Sequence, residues 1–537
     1  MKTDTFIRPT NPLTISRALT LFPAPDKNRV QILRPFAVYS ARSYSTPITV
    51  PIGPAYLAAV LEKAGYRVQI IDGIGEGIRN VRLSEDGYYN LQGLTTQEIL
   101  DRIDPETAVV GISLMFSQDW LCHRGLINAI AKKYPSLTIV VGGEHPAALP
   151  EYLLRDCPAI DYLIAGEGEL AFLEFLHAHL TGKDTSAIPG VFSLGSSGRL
   201  ITNGPANRIS DFSNLPRPAW HLCDIENFFT GMWTMGISFG RNMLILATRG
   251  CPYQCTFCSS PSMWTTRYMM RPVSDVVDEI EFLIEEYRAN SIDFADLTAI
   301  IKKEWVLEFC REIKKRNLNF TWQLPSGTRS EALDKEAVEA MYNAGCRFLV
   351  YAPESGSQET LESIKKKLNL ENIESSIRDA VRIGHTVKVN FVIGFPNESR
   401  RLILKTVWAN IRMAFLGVTD SNISIFAPYP GSEIFNELRR DGTIKLDDEY
   451  FHNLLVQFDF TRQTSVCRHV PSWEIAFYRF AGMGLFYIFS YLLHPKRLWH
   501  LVWSLSRLLK KGQGFQANSM FEQRIYEYLK REQLREI

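Results

Sequence analysis

The stretch Ala247-Thr-Arg-Gly-Cys251-Pro-Tyr-Gln-Cys255-Thr-Phe-Cys258-Ser-Ser-Pro261 decides how the rest of the chain is read. Its cysteines are spaced C-x3-C-x2-C and follow the apolar run Met243–Ala247, which reads as a strand. Thiolates hold iron–sulfur clusters, and a [4Fe-4S] cube ordinarily takes four of them. Three leave one iron without a protein ligand, and an open coordination position is where metal chemistry occurs. A structural zinc site would need a fourth cysteine or histidine close by. The nearest histidines in sequence are His221 and His385. A disulfide framework does not suit three clustered thiols, and Met1-Lys-Thr-Asp-Thr-Phe6 carries no apolar signal core.

Working outward, the chain from Met243 to Phe426 alternates strand and helix. The strands are expected at Met243–Thr248, Ser291–Ala295, Thr321–Pro325, Arg347–Tyr351, Thr386–Ile393 and Asn422–Phe426. Helices are expected to begin near Val273, Lys303, Asp334, Gln358, Leu370 and Glu398. Parallel strands joined by helices close into a full or partial barrel whose active site lies at the carboxyl ends of the strands. The cysteine loop follows the first strand and therefore falls at that end.

Upstream, Val30–Val38, Val68–Asp72, Ala108–Leu114, Leu137–Gly143 and Asp161–Gly166 are short apolar runs separated by the helix-patterned Gly53–Ala64, Trp120–Lys133 and Leu170–Leu180. Strands this apolar imply a parallel sheet covered on both faces. Such a sheet binds ligands beyond the carboxyl ends of its strands. The organisation expected is an N-terminal extension (1–29), a Rossmann-like α/β domain (30–190) and a linker (191–236). A (β/α)6 partial TIM barrel (237–465) and a helical C-terminal region (466–537) follow.

Composition bounds the function class. The chain has 537 residues, too many for one core, with 46% hydrophobic and 22% charged residues, which excludes a disordered protein. Lys plus Arg (59) balances Asp plus Glu (58), so no nucleic-acid partner is expected. Six of the nine cysteines are scattered and read as buried reduced thiols. An oxygen-sensitive open cluster implies a reducing cytoplasm.

The cysteine spacing, with Phe257 immediately before Cys258, resembles the radical S-adenosylmethionine (SAM) superfamily. Pro51-Ile-Gly-Pro-Ala-Tyr56, Val141-Gly-Gly-Glu-His-Pro146 and Ala165-Gly-Glu-Gly-Glu169 resemble the cobalamin (B12)-binding domain that precedes the radical SAM core in one large subclass. The resemblance implies a [4Fe-4S] cluster on Cys251, Cys255 and Cys258, with the amino and carboxylate groups of SAM on the open iron. Around SAM it implies Phe257, Asp296, Arg329, Glu354, Gly394 and Pro396. Around cobalamin it implies Gly53, Ser113, Gly142, Gly143 and Glu167. The Asp-x-His-x-x-Gly signature of other cobalamin proteins is absent, and His145 is not expected to be a cobalt ligand. The Asp296-Leu-Thr segment departs from the acidic pair many relatives carry. The turn Ala427-Pro-Tyr-Pro-Gly-Ser-Glu-Ile-Phe435 resembles one found after the sixth strand in cobalamin-dependent members.

By the same resemblance, the expected activity is reductive SAM cleavage to a 5′-deoxyadenosyl radical. Methyl transfer to an unactivated carbon of a small-molecule or lipid-like substrate follows, with electrons from a donor such as flavodoxin or ferredoxin. Two alternatives stand beside it: a cyclase or rearrangement enzyme that uses cobalamin without net methylation, and a non-catalytic cofactor-binding protein. The C-terminal region leaves two readings open. The uncharged run Phe480–Leu493 is 14 residues, short of the ~20 needed to span a bilayer. Residues 475–511, basic and aromatic-flanked, fit either a helical lid on the barrel or peripheral membrane contact.

Overall fold

The computed structural model describes residues 13–26, 28–43, 48–210, 212–298, 301–328, 333–456, 464–511 and 517–535. The first domain contains β1 (Arg29–Arg34), β2 (Ala37–Ser40), β3 (Arg67–Asp72), β4 (Val81–Leu83), β5 (Tyr89–Gln92), β6 (Val109–Ser113), β7 (Thr138–Gly142), β8 (Tyr162–Ile164), β9 (Val191–Leu194) and β10 (Leu200–Thr202). Its main sheet runs β10-β9-β8-β7-β6-β1-β3. The strands from β3 to β8 in that sheet are parallel, while β9 and β10 are antiparallel. Val30, Ile32, Leu33, Val109, Val110, Ile112, Ile139, Val140 and Val141 are buried, as a sheet covered on both faces requires. The strand order reverses between β1 and β6, so the ligand crevice expected of this topology opens there.

Two features of this domain differ from the sequence expectation. The run Val30–Val38 is not one strand: Pro35 lacks an N–H and breaks the ladder. Beyond it β2 leaves the sheet to pair with β5, which pairs with β4, in a small antiparallel sheet. The segment from 191 on, expected as linker, begins with β9 and β10, which extend the main sheet by a hairpin. Short strands such as Leu200–Thr202 have too little periodicity to be read.

The second domain contains β11 (Asn242–Ile245), β12 (Thr248–Arg249), β13 (Met269–Met270), β14 (Ser291–Phe294), β15 (Thr321–Thr328), β16 (Cys346–Glu354), β17 (Thr386–Ile393) and β18 (Asp420–Ile425). Its six-stranded sheet, β11-β14-β15-β16-β17-β18, is parallel throughout and is an open barrel. The expected first strand stops at Ile245. The chain then makes β12, which pairs antiparallel with β13, so a two-stranded clamp holds both ends of the cysteine loop.

The helix Ser472–Leu493 is longer than the uncharged run suggested, and by length and composition it could cross a membrane. It buries a polar-containing stripe of Glu474, Arg479, Gly482 and Ser490 instead. Asn410, on the helix Arg400–Phe415, donates to the Gly482 carbonyl at 3.0 Å. A Cβ at Gly482 would lie 2.6 Å from Ile423 of β18, so glycine lets the helix press against the barrel. It lies along the domain as a barrel helix would.

The C-terminal helix Met520–Arg535 covers the opposite, amino-terminal end of the barrel. Asp420, first in β18, accepts the N–H groups of Met520 (2.6 Å) and Phe521 (3.3 Å). Burial pushes the Asp420 carboxyl up to about 6 and the neighbouring Lys388 amine down to about 8. Arg524 donates to the Met235 carbonyl at 2.7 Å and to both oxygens of Glu527 at 2.7 and 2.6 Å. Glu527 has no exposed side-chain surface. Glu527→Gln therefore strands a buried guanidinium and should destabilise the protein by about 3–5 kcal/mol. Urea unfolding tests this: the double variant Arg524→Met/Glu527→Leu should recover much of the loss, and an unchanged single variant would contradict the reading.

Candidate active site

The cysteine loop is built from its backbone outward. Gly250 has φ +83°, and a Cβ there would sit 2.2 Å from the Arg267 carbonyl oxygen, so only glycine turns the chain at this point. Thr256 N–H donates to the Ile364 carbonyl at 3.0 Å, and the Thr256 carbonyl accepts from Ile434 N–H at 3.0 Å. The loop is thereby tied to two segments that follow later barrel strands. The half-buried Cys251, Cys255 and Cys258 are all reduced. Thr298 Oγ1 stands 3.6 Å from Cys251 Sγ, and Ser260 Oγ stands 3.3 Å from Cys258 Sγ. Hydroxyls placed beside thiolates stabilise their charge and tune a cluster's potential.

This donor set fits a cube. Among the described residues no three His, Cys, Asp or Glu side chains converge as a single-ion site. The thiolates of a cube each hold a different iron and need not converge.

The residues expected around SAM differ in where they fall. Phe257, Gly394 and Pro396 are brought together: the Phe257 ring lies 5.9 Å from Phe395, which lies 5.0 Å from Phe426. An aromatic row thus connects the cysteine loop with the ends of β17 and β18. Asp296 is turned onto the start of that loop. It accepts Thr248 Oγ1 at 2.5 Å, Ala247 N–H at 3.3 Å and Thr248 N–H. Burial pushes its carboxyl up to about 6. These bonds make Asp296 a support for the loop. Glu354 ends β16 with φ +65°, a conformation that costs a non-glycine residue roughly 1–3 kcal/mol and recurs at functional sites. Its carboxylate pairs with Lys366 Nζ at 3.0 Å. Arg329 lies outside the described residues.

The cobalamin-type crevice carries its own signs of a ligand. Ser113 ends β6, Gly142 ends β7, and Gly143 follows with φ +119°. A Cβ on Gly143 would meet the Leu114 carbonyl oxygen at 2.4 Å, while Gly53 has nothing within 4 Å of that position. Met115 and Phe116, just beyond β6, expose apolar side chains at the crevice edge. Beside them, Gln118 Oε1, Asp119 Oδ1 and His145 Nε2 are buried polar atoms with no hydrogen-bond partner among the described residues. Unsatisfied buried polar atoms are costly and suit a large ligand rich in amides and hydroxyls. His145 Nδ1 is bonded to Ser117 Oγ at 2.9 Å, and burial pushes its pKa down to about 3.

Glu167 stands where the two domains meet. Its Oε2 accepts Arg208 Nε at 2.9 Å and Ile209 N–H at 2.7 Å, and its Oε1 pairs with Arg249 at 3.1 Å. Both oxygens are engaged by protein groups, so Glu167 joins the two domains. The sequence reading missed Glu144 and Glu398. Glu144 accepts Trp264 Nε1 at 2.5 Å, bringing the cobalamin-type domain onto the helix Ser260–Trp264 that follows the cysteines. It lies within the quoted Gly-Gly-Glu-His-Pro motif, which was the available signal.

Glu398 Oε2 accepts the Gly394 N–H at 2.7 Å and the Phe395 N–H at 3.3 Å, holding the turn after β17. Burial raises its carboxyl from 4.5 to about 7. The folded state therefore holds this proton more tightly than the unfolded chain. The stability contributed is complete below about pH 4.5 and is lost as pH rises through about 7. Relative to Glu398→Gln, the wild type should lose up to about 3 kcal/mol across that window. Unfolding free energies at a series of pH values measure it, and parallel pH profiles would refute it.

Comparison with known proteins agrees with this geometry. Residues 245–407 match the radical SAM superfamily and residues 43–176 match the B12 binding domain. The chain is 30% identical over 441 residues to cytidylyl-2-hydroxyethylphosphonate methyltransferase of Streptomyces wedmorensis, covering 75% of this chain and 80% of the relative. It is 29% identical over 387 residues to an uncharacterised methyltransferase of Pyrococcus horikoshii, covering 72% and 77%. In fold it is similar to the cobalamin-dependent SAM radical enzyme OxsB, solved with aqua-cobalamin and SAM bound. The TM-score there is 0.66 at 14% identity, over 94% of this chain and 71% of that one. With two cofactor platforms facing each other and relatives that match along both, the chain belongs to the cobalamin-binding radical SAM methyltransferase family.

Proposed function

We propose that this enzyme methylates an unactivated carbon of a hydrophobic, lipid-like molecule at a membrane surface facing the reducing cytoplasm. Electrons would come from a flavodoxin or ferredoxin. The observation that carries the reading is the Glu144–Trp264 contact of 2.5 Å, which sets the cobalamin-type crevice against the cysteine loop. When bound, the cluster with SAM supplies hydrogen-atom abstraction and cobalamin supplies a transferable methyl group. The chain's own part is to hold and orient. Cys251, Cys255 and Cys258 would hold three irons. The Phe257–Phe395 row and the Gly394–Pro396 turn would line the adenine side, and Glu354 would accept ribose hydroxyls in place of Lys366. Ser113, Gly142, Gly143 and Gly53 would border the corrin. Buried aromatic and apolar walls would exclude water from both.

The substrate class is argued from the exterior. Trp408 and Phe415 of the helix Arg400–Phe415, Trp473 and Ile488 of the long helix, and Trp499 and Val502 of the helix Pro495–Lys511 are exposed. Exposed Arg401, Lys405 and Lys496 lie among them. Tryptophans with basic neighbours on an apolar face match a bilayer interface. An apolar cleft of about 360 Å³ between the long helix and the C-terminal helix, lined by Phe480, Met483, Tyr487, Phe521 and Ile525 among others, adds to this apolar exterior at the barrel end away from the cofactors.

Anaerobic incubation of reconstituted protein with SAM and a membrane-lipid extract tests the reading by mass spectrometry. The expected product is heavier by one CH2 unit, and Cys255→Ala should abolish both product and 5′-deoxyadenosine. An unchanged carbon count would favour cyclisation or rearrangement, and SAM cleavage by the Cys255→Ala variant would overturn the assignment. In a separate measurement, the protein should sediment with phosphatidylglycerol vesicles at low salt, and Trp473→Ser/Trp499→Ser should weaken this. No vesicle binding by the wild type would refute the membrane part.

A further inference from the structure

We infer that Arg249 is a positioning residue that locks the cysteine loop to the cobalamin-type domain, so that the two cofactor platforms keep one register. The inference rests on the proposed use of both cofactors at one cavity. Arg249 lies two residues before Cys251 in the second domain; its partners come from the start of the helix Gly168–Leu180 that follows β8 in the first. Its two terminal nitrogens fork: one pairs with Glu167 at 3.1 Å, the other with Glu169 at 2.6 Å. The three side chains are 3%, 0% and 8% exposed. Arg208 supplies the second positive charge, at 2.9 Å from Glu167, so two guanidiniums balance two carboxylates.

The same guanidinium lies 5.2 Å from the ring centre of Tyr56, 5.2 Å from Phe212 and 5.6 Å from Trp264. Trp264 is the residue that donates to Glu144. Ionic and aromatic contacts from both domains thus meet on a single side chain.

A buried ion network of this kind is a poor device for stability, because desolvation offsets its attraction, and a good one for register. A fork that must satisfy two carboxylates fixes direction as well as distance, which a lysine ammonium cannot reproduce. Within its own barrel the cysteine loop is tied through Thr256, Thr248 and the β12–β13 pair, and the helix that follows it is tied to the first domain through Trp264 and Glu144. The network adds a second tie, to the other domain. Glu167 and Glu169, in the Gly-Glu-Gly-Glu segment, belong to this lock.

The test compares wild type, Arg249→Lys and Glu169→Gln; Arg249→Lys keeps the charge and loses the fork. In cofactor-free protein, amide exchange at Thr248–Cys258 should accelerate about tenfold in both variants, with little change in barrel strands. In reconstituted protein, iron and cobalamin content should match wild type. Spin–spin coupling between reduced cluster and cob(II)alamin should weaken or broaden, and 5′-deoxyadenosine formed per methylated product should rise about tenfold. Unchanged exchange and unchanged coupling would overturn the inference. So would variants that lose iron or unfold while any assembled fraction couples as wild type does, since that marks an ordinary structural ion pair. A wild type that binds no cobalamin would defeat the proposed function instead, and the exchange measurement would still decide the lock.

Discussion

A guanidinium taken out of water needs negative partners, and Arg249 draws its two from a different domain. That constraint shapes its surroundings. It turns Glu167 and Glu169 toward the barrel, draws Arg208 in as a counterweight, and leaves Tyr56, Phe212 and Trp264 to wall off solvent. The cysteine loop begins two residues later, so any slack in this contact is passed directly to the thiolates. Side chains that act as ligands work only when a surrounding layer fixes their direction. Here that layer is shared between two domains.

The barrel divides its labour between its ends, as parallel barrels do. At the carboxyl end lie glycines with left-handed backbone, a strained Glu354 and carboxylates with raised pKa at Asp296 and Glu398. At the amino end lie buried polar networks. Asp293 accepts from Asn242 at 3.0 Å and Gln323 at 2.6 Å, and the C-terminal helix adds Gln523, Arg524 and Glu527. In the first domain, the crevice keeps Asp119, Gln118 and His145 with atoms that no described residue satisfies.

The long C-terminal helix shows how composition and packing answer different questions. Its residues are apolar enough for a membrane, yet its few polar side chains form one stripe directed at the barrel. The outward face is then almost wholly apolar, which a water-facing helix would not favour. An apolar exterior carrying tryptophans and bordered by lysine and arginine follows from that division.

Much of this molecule was legible from consecutive residues. The C-x3-C-x2-C spacing, the apolar strand runs and the helical periodicities are local patterns, and each barrel strand was found within a few positions of its place. The glycines at the strand ends of the first domain were legible for the same reason. What packing decided was the destination of charged and polar side chains. Glu167 stood in a motif that suggested cobalamin and is held by Arg249, 82 positions away. Asp296 supports the cysteine loop, and the short strands after residue 190 extend a sheet where a linker was expected. Periodicity reports which face of an element is buried, because that face repeats along the chain. It cannot report which distant charge a buried carboxylate will meet, because that partner is chosen by the close approach of two domains.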